Sequence, residues 1–218
     1  MFKSIAAAVI AATALAFNKP TPAEKESVKM WNDTMEYFGY KYEIHKATTD
    51  DDWELTLFRV IPKYESEESH GSVLVMHGGT MDATSWFSWV KDDPSKTPMD
   101  LPAMLRLADE GYDIWFGSNR GTKYSNVNPR LEGASEEERY DFSFYDFGVS
   151  DVPAMLDTIT EVSGEKKVTY VGYSQGTSQM FYGLSKANPT LNMKLEKAIL
   201  LAPCLWIEFG IDNMEQYN

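Results

Sequence analysis

The sequence predicts an α/β fold, a mostly parallel sheet with helices on both faces, on three observations. From about residue 72 onward, short apolar runs of strand length alternate with stretches whose apolar residues recur at helical spacing. The run Ser72-Val-Leu-Val-Met-His77 is apolar on successive residues rather than on every second one, as in a strand covered on both faces. The 218 residues, 43% hydrophobic and 13% aromatic, supply one sizeable core and exclude intrinsic disorder.

The elements follow in chain order. Lys3 precedes an unbroken apolar or small run over residues 5–16 that ends in Ala14-Leu15-Ala16, and Asn18, Lys19 and Pro20 come next. Residues 1–16 read as a secretory signal peptide, leaving a mature chain over 17–218; the competing reading is a buried N-terminal helix. The run is well short of the roughly 20 residues that cross a bilayer, so no transmembrane segment is expected. Val28, Trp31, Met35 and Phe38 predict one amphipathic helix over residues 24–37. Strand-like runs at 42–48 and 54–60 flank Thr49-Asp50-Asp51-Asp52, a turn-forming cluster, and predict an antiparallel hairpin. The buried strand at 72–77 is ended by Gly78-Gly79. Leu101, Met104, Leu105 and Ala108 predict a helix closed by Gly111, and a strand over 112–116 follows it. A polar loop over 117–144 carries Arg120, Tyr124, Arg130 and a Glu136-Glu137-Glu138 run that reads as solvated surface. Val152, Met155, Leu156 and Ile159 form a helix face that Asp151 and Pro153 can start. A strand over 167–173, a helix with Thr177, Met180, Phe181 and Leu184 inward, and a strand over 197–201 complete the series.

Charge and composition exclude several functions. Lys and Arg total 20 against 33 Asp and Glu, a net charge of −13 that phosphate backbones and anionic headgroups would repel, so no nucleic-acid partner is expected. A lone cysteine, Cys204, cannot form an internal disulfide, and three histidines beside it make no structural zinc cluster. No metal and no cofactor are expected. Asn32-Asp33-Thr34 is a sequon, read either as a glycosylation site at Asn32 or as unmodified helix surface; Asn188-Pro189-Thr190 is excluded by its proline.

The strand over 167–173 runs directly into Gly172-Tyr173-Ser174-Gln175-Gly176, and a helical pattern starts at once. This is G-x-S-x-G in the context that gives it meaning: a serine hydroxyl exposed on a sharp strand-to-helix turn, with glycine where the turn approaches its neighbours. Ser174 is the candidate nucleophile; the alternative is a helix cap after a tight turn. Upstream, His77-Gly78-Gly79-Thr80 closes a buried strand, where backbone N–H groups are available at the carboxyl end of the sheet. Acyl transfer needs such donors, each contributing about 3 kcal/mol to a tetrahedral oxyanion. The N–H groups of Gly79 and Gln175 are the candidates. Trp86, Phe87 and Trp89 read as core or as the lining of a lipid path, and His45 and His70 as surface or hairpin residues.

These motifs resemble the acid lipase family of α/β-hydrolases, which includes gastric and lysosomal acid lipases. The resemblance is carried by Tyr37-Phe-Gly-Tyr40, His77-Gly78, Ala108-Asp-Glu-Gly-Tyr-Asp-Ile-Trp115, Asn119-Arg120-Gly121, Tyr140-Asp-Phe-Ser-Phe144, Val171-Gly-Tyr-Ser-Gln-Gly-Thr177 and Leu201-Ala-Pro203, in family order. It implies the α/β-hydrolase fold, Ser174 as nucleophile, Gly79 and Gln175 as oxyanion hole, and a lipid ester substrate such as an acylglycerol or sterol ester. It further implies a secreted protein, extracellular or lysosomal. Two residues depart from the family pattern: Tyr173 stands where histidine is usual and Gly79 where leucine is usual. The family order is nucleophile, acid, histidine, yet no histidine follows Ser174, and Glu196, Glu208, Asp212 and Glu215 have none to orient. The resemblance therefore implies a partial domain over 17–218, truncated near Trp206 before the cap and last strands. The alternative is a non-catalytic relative that binds a lipid or a partner.

Overall fold

The computed structural model describes residues 20–63, 69–87 and 101–204. Its centre is a six-stranded sheet of order β1-β2-β4-β3-β5-β6, with β1 at Lys41–Thr48, β2 at Glu54–Ile61, β3 at Ser72–Met76, β4 at Asp113–Gly117, β5 at Val168–Tyr173 and β6 at Leu195–Leu201. The expected hairpin forms, with Lys41 opposite Ile61 and Thr48 opposite Glu54, and β2 pairs antiparallel with β4. The pairings of β3 with β4, β3 with β5 and β5 with β6 are all parallel. An antiparallel hairpin thus extends a parallel sheet.

Helices cover both faces: α1 (Pro22–Ser27), α2 (Lys29–Phe38) and α3 (Ala103–Asp109), then the short α4 (Glu136–Arg139) and α5 (Phe144–Asp146), then α6 (Val152–Ser163), α7 (Gln175–Ser185) and α8 (Pro189–Lys194). One core layer joins Trp31 and Met35 of α2 and Leu105 and Ala108 of α3 to Phe58, Val73, Val75, Ile114 and Phe116. The other joins Met155, Leu156 and Ile159 of α6, Met180 of α7 and Leu191 of α8 to Leu57, Leu74, Met76, Trp115 and Tyr170. Alternate residues of β3 and β4 therefore enter opposite layers, which is why both strands read as continuous apolar runs.

Several expectations change in detail. The helix expected over 24–37 is two helices that break at Val28 (φ −115°, ψ 34°), the first started by a Thr21–Glu24 capping box. The loop over 117–144 holds a 3-10 turn at Pro129–Leu131 and α4, whose three glutamates are exposed, as expected of solvated surface. Asp151 does not cap α6: it ends a π-helical turn (Phe147–Asp151), makes no capping bond and is fully buried. Helix α8, with Asn188 as its cap, has no counterpart among the expected elements because six residues are too few for a periodic signal. The expected leader over 1–16, the segment after Cys204 and Trp89 lie outside the described residues.

Candidate active site

Ser174 joins β5 to α7 with φ 51° and ψ −115°, a left-handed backbone that non-glycine residues adopt rarely. The flanking glycines explain how the turn fits. A Cβ on Gly176 would lie 2.9 Å from the His77 carbonyl oxygen and 3.1 Å from that of Met76; one on Gly172 would lie 2.6 Å from the Gly176 carbonyl oxygen. No side chain fits at either place, so the strained serine is held against the end of β3.

The turn after β3 meets this elbow. A Cβ on Gly78 would approach Tyr173 Cδ1 at 3.2 Å and Ser174 Cβ at 3.3 Å, and one on Gly79 would sit 3.4 Å from Gln175 Oε1. The two segments named from sequence are thus neighbours at the carboxyl ends of β3 and β5, where the strand order reverses and open α/β sheets bind ligands.

His77, 3% exposed, is fixed at both ring nitrogens: the Asn119 N–H donates to Nε2 at 3.2 Å, which leaves the proton on Nδ1 to donate to the Gly78 carbonyl at 2.8 Å. Burial lowers its pKa and keeps it neutral. His45 shares a hydrogen bond with Glu43 on β1, four strand spacings or about 19 Å from β5. His70 stacks near Tyr112 at the opposite end of β3, roughly 17 Å from its carboxyl end. None of the three histidines reaches Ser174.

A buried polar chain supports the elbow. Tyr170 donates its hydroxyl proton to the Gly176 carbonyl at 2.6 Å and accepts from Gln179 Nε2 at 3.0 Å, and Gln179 Oε1 accepts from Asn119 Nδ2 at 2.9 Å. Behind it, Arg120 donates through its backbone N–H and Nε to Asp151 at 2.9 and 2.7 Å and through its two terminal nitrogens to Asp51 at 2.5 and 3.0 Å. The hairpin turn, the exit of β4 and the start of α6 are thereby tied together. Burial pushes the Asp151 carboxyl up to about 6 against the pull of Arg120. Sequence reasoning misses Tyr170, Gln179 and Asp151 as supports of the site; the signal the sequence offers is a polar group within or beside an apolar run.

On the far side, the Ser174 N–H donates to the Leu201 carbonyl at 3.0 Å. The Thr177 hydroxyl donates to the Ser174 carbonyl at 2.6 Å and accepts from the Cys204 N–H at 2.9 Å, placing the Cys204 thiol 4.0 Å from Ser174 Oγ. That thiol is the only hydrogen-bonding neighbour of Oγ among the described residues. Of the aromatic group, Phe87 is core, packed on Trp31 and Phe116, whereas Trp86 lies edge-on to Tyr173 at 6.4 Å. Asn32 is inside α2, 9% exposed, and its Oδ1 accepts from the Tyr42 hydroxyl. It is not helix surface. Among the described residues no metal-binding cluster forms and no helix is long and apolar enough to cross a membrane.

The chain matches the α/β hydrolase fold over residues 71–218 and the partial α/β-hydrolase lipase region over residues 31–90. A probable lipase of Schizosaccharomyces pombe, C1672.09, is 36% identical over 178 residues, covering 77% of this chain and 35% of that protein. Mouse gastric triacylglycerol lipase is 31% identical over 88% of this chain and 47% of its own length, and human lipase member K is 31% identical over 91% and 48%. The chain spans less than half the length of these relatives.

Proposed function

From the premise that this chain belongs to the α/β hydrolase fold family, we propose that it carries the nucleophile of a serine ester hydrolase, a lipase acting on acylglycerols or sterol esters. One observation carries the reading: Ser174 sits at φ 51° between β5 and α7 with glycines on both sides where no side chain fits. Ser174 Oγ attacks the ester carbonyl carbon, the N–H groups of Gly79 and Gln175 stabilise the oxyanion, the alcohol leaves, and water releases the acid from the acyl-enzyme. The proton of Oγ passes to a base that is not found among the described residues, where all three histidines are engaged or distant; the family order puts that base after the nucleophile. A second reading, a non-catalytic relative that binds lipid, rests on a different observation: none of the described histidines reaches Ser174. We further propose a secretory route, with residues 1–16 as the leader. The deciding experiment is hydrolysis of p-nitrophenyl butyrate and triolein by the full-length protein. Ser174→Ala is expected to lower turnover by about 10⁶; absence of any Ser174-dependent turnover leaves the binding reading.

A further inference from the structure

The polar network behind the elbow can run in one sense only. The Gly176 carbonyl only accepts, so the Tyr170 hydroxyl gives it its single proton and must itself accept from Gln179 Nε2. Gln179 Oε1 is thereby turned to Asn119 and accepts from Nδ2. At the other end the Asn119 backbone N–H only donates, which fixes the His77 tautomer and makes Nδ1 the donor to the Gly78 carbonyl. Asn119 Oδ1 is left buried with no hydrogen-bond partner among the described residues. Turning that amide round would set Oδ1 against Gln179 Oε1, so the arrangement has no alternative.

The two ends of this network fall on the two segments that carry the candidate oxyanion donors. The Gly78 carbonyl and the Gly79 N–H belong to one planar trans peptide and point in opposite directions, so the bond from His77 to the carbonyl aims the N–H away from His77. The Gly176 carbonyl, held by Tyr170, lies in the first turn of α7, which begins with the Gln175 N–H. Neither N–H donates to a described residue. Gln179 is fully buried at the middle of the network, where the half anchored on the turn after β3 meets the half anchored on α7.

Resting on the reading of Ser174 as nucleophile, we propose that Gln179 is a positioning residue for the reaction: its amide joins the Gly78–Gly79 peptide to the first turn of α7 and so sets the placement of the Gly79 and Gln175 N–H groups relative to each other. Gln179 acts through these neighbours and touches no substrate. Its two bonds matter to the transition state in particular, because the donors it places act on an oxygen whose charge develops there, so loosening them lowers turnover and leaves ground-state binding in place.

The test compares p-nitrophenyl butyrate hydrolysis by the full-length protein, by Gln179→Leu and by Gln179→Glu, with Ser174→Ala as the control and the folded fraction matched by near-ultraviolet circular dichroism. Gln179→Leu, which removes both bonds, is expected to lower kcat about ten- to hundredfold with KM within about twofold of the wild type. Gln179→Glu keeps the shape. Ionised, its carboxylate only accepts and draws the Tyr170 proton away from Gly176; protonated, it donates to Tyr170 and accepts from Asn119 as the amide does. Burial raises a carboxyl pKa, so kcat of Gln179→Glu relative to the wild type is expected to recover as pH falls from about 8 to about 5. Tyr170, whose pKa burial raises, and His77, whose pKa burial lowers, are the titratable groups of the network and are present in both proteins. Should Gln179→Leu fail to fold, the ratio in Gln179→Glu decides alone. An unchanged kcat in Gln179→Leu, a loss carried by KM, or a Gln179→Glu ratio independent of pH overturns the proposal. Failure of the wild-type protein to hydrolyse the ester above the Ser174→Ala control would instead overturn the nucleophile reading on which the proposal rests.

Discussion

At Gly176 the reason for glycine is distance rather than backbone angle: a methyl group would press on the carbonyl oxygens of Met76 and His77, at the end of β3, which cannot rotate away. Gly176→Ala is therefore expected to cost about 1–3 kcal/mol, read as a fall in Tm. Gly79→Ala, whose methyl finds ordinary contacts, should stay within about 0.5 kcal/mol of the wild type. Equal effects would contradict the packing described for the elbow. Arg120 poses the opposite case, a buried charge whose loss strands another. Arg120→Met leaves the Asp151 carboxylate buried without its cation, and about 3–5 kcal/mol of destabilisation is expected at pH 7. The sign of its pH dependence follows from linkage. Asp151 has a folded value of about 6 against an unfolded one of about 3.9, so the native state binds more protons between those values. Its contribution to stability is fullest below the unfolded value and is lost as pH rises through the folded one. Losing Arg120 raises the folded value further, so the cost of the variant should shrink as pH falls from 7 to 5 in denaturant titrations. A cost that grows on acidification would contradict the pairing.

Helix α2 was legible from the spacing of Val28, Trp31, Met35 and Phe38, and the reason is visible in what it buries. Trp31 is fully buried and stacked on Phe58 at 4.2 Å, so Trp31→Ala is expected to cost about 3–5 kcal/mol in chemical denaturation. A loss under 1 kcal/mol would mean that α2 is not docked on the sheet. The break at Val28 was not legible, because Val28 itself falls at helical spacing from Trp31 and Met35 and no glycine or proline marks the position. Nor was the burial of Asn32: a sequon shows chemistry, but burial depends on the partner strand, here through Tyr42. A glycan at Asn32 would have to displace α2 from that strand, so the folded protein is expected to carry none there. An endoglycosidase-sensitive mass at Asn32 in a cooperatively folded sample would contradict the placement. At α6 the sequence misleads in another way, since Asp151 before Val152-Pro153 has the composition of a helix cap while its carboxylate is committed to Arg120, 31 residues earlier.

On the scale of the molecule, the alternation of strands and helices was readable because β3, β4 and β5 are largely covered on both faces and so announce themselves as apolar runs. The order of the strands and the crossing of β3 between β4 and β5 depend on pairing between distant residues. The Ser174 turn was readable for a related reason: its glycines answer to contacts at the elbow itself and with the end of β3, and its serine to a local angle. The chain of His77, Asn119, Gln179 and Tyr170 that braces it was not, since its members are spread over about 100 residues and each is an ordinary polar residue in isolation. The central claim is that this scaffold exists to present Ser174 as an activated nucleophile. It is tested most directly by treating the full-length protein with a fluorophosphonate and mapping the adduct by peptide mass spectrometry. The label is expected on Ser174 and absent from the Ser174→Ala variant; a label on another residue, or one that survives Ser174→Ala, would contradict the account.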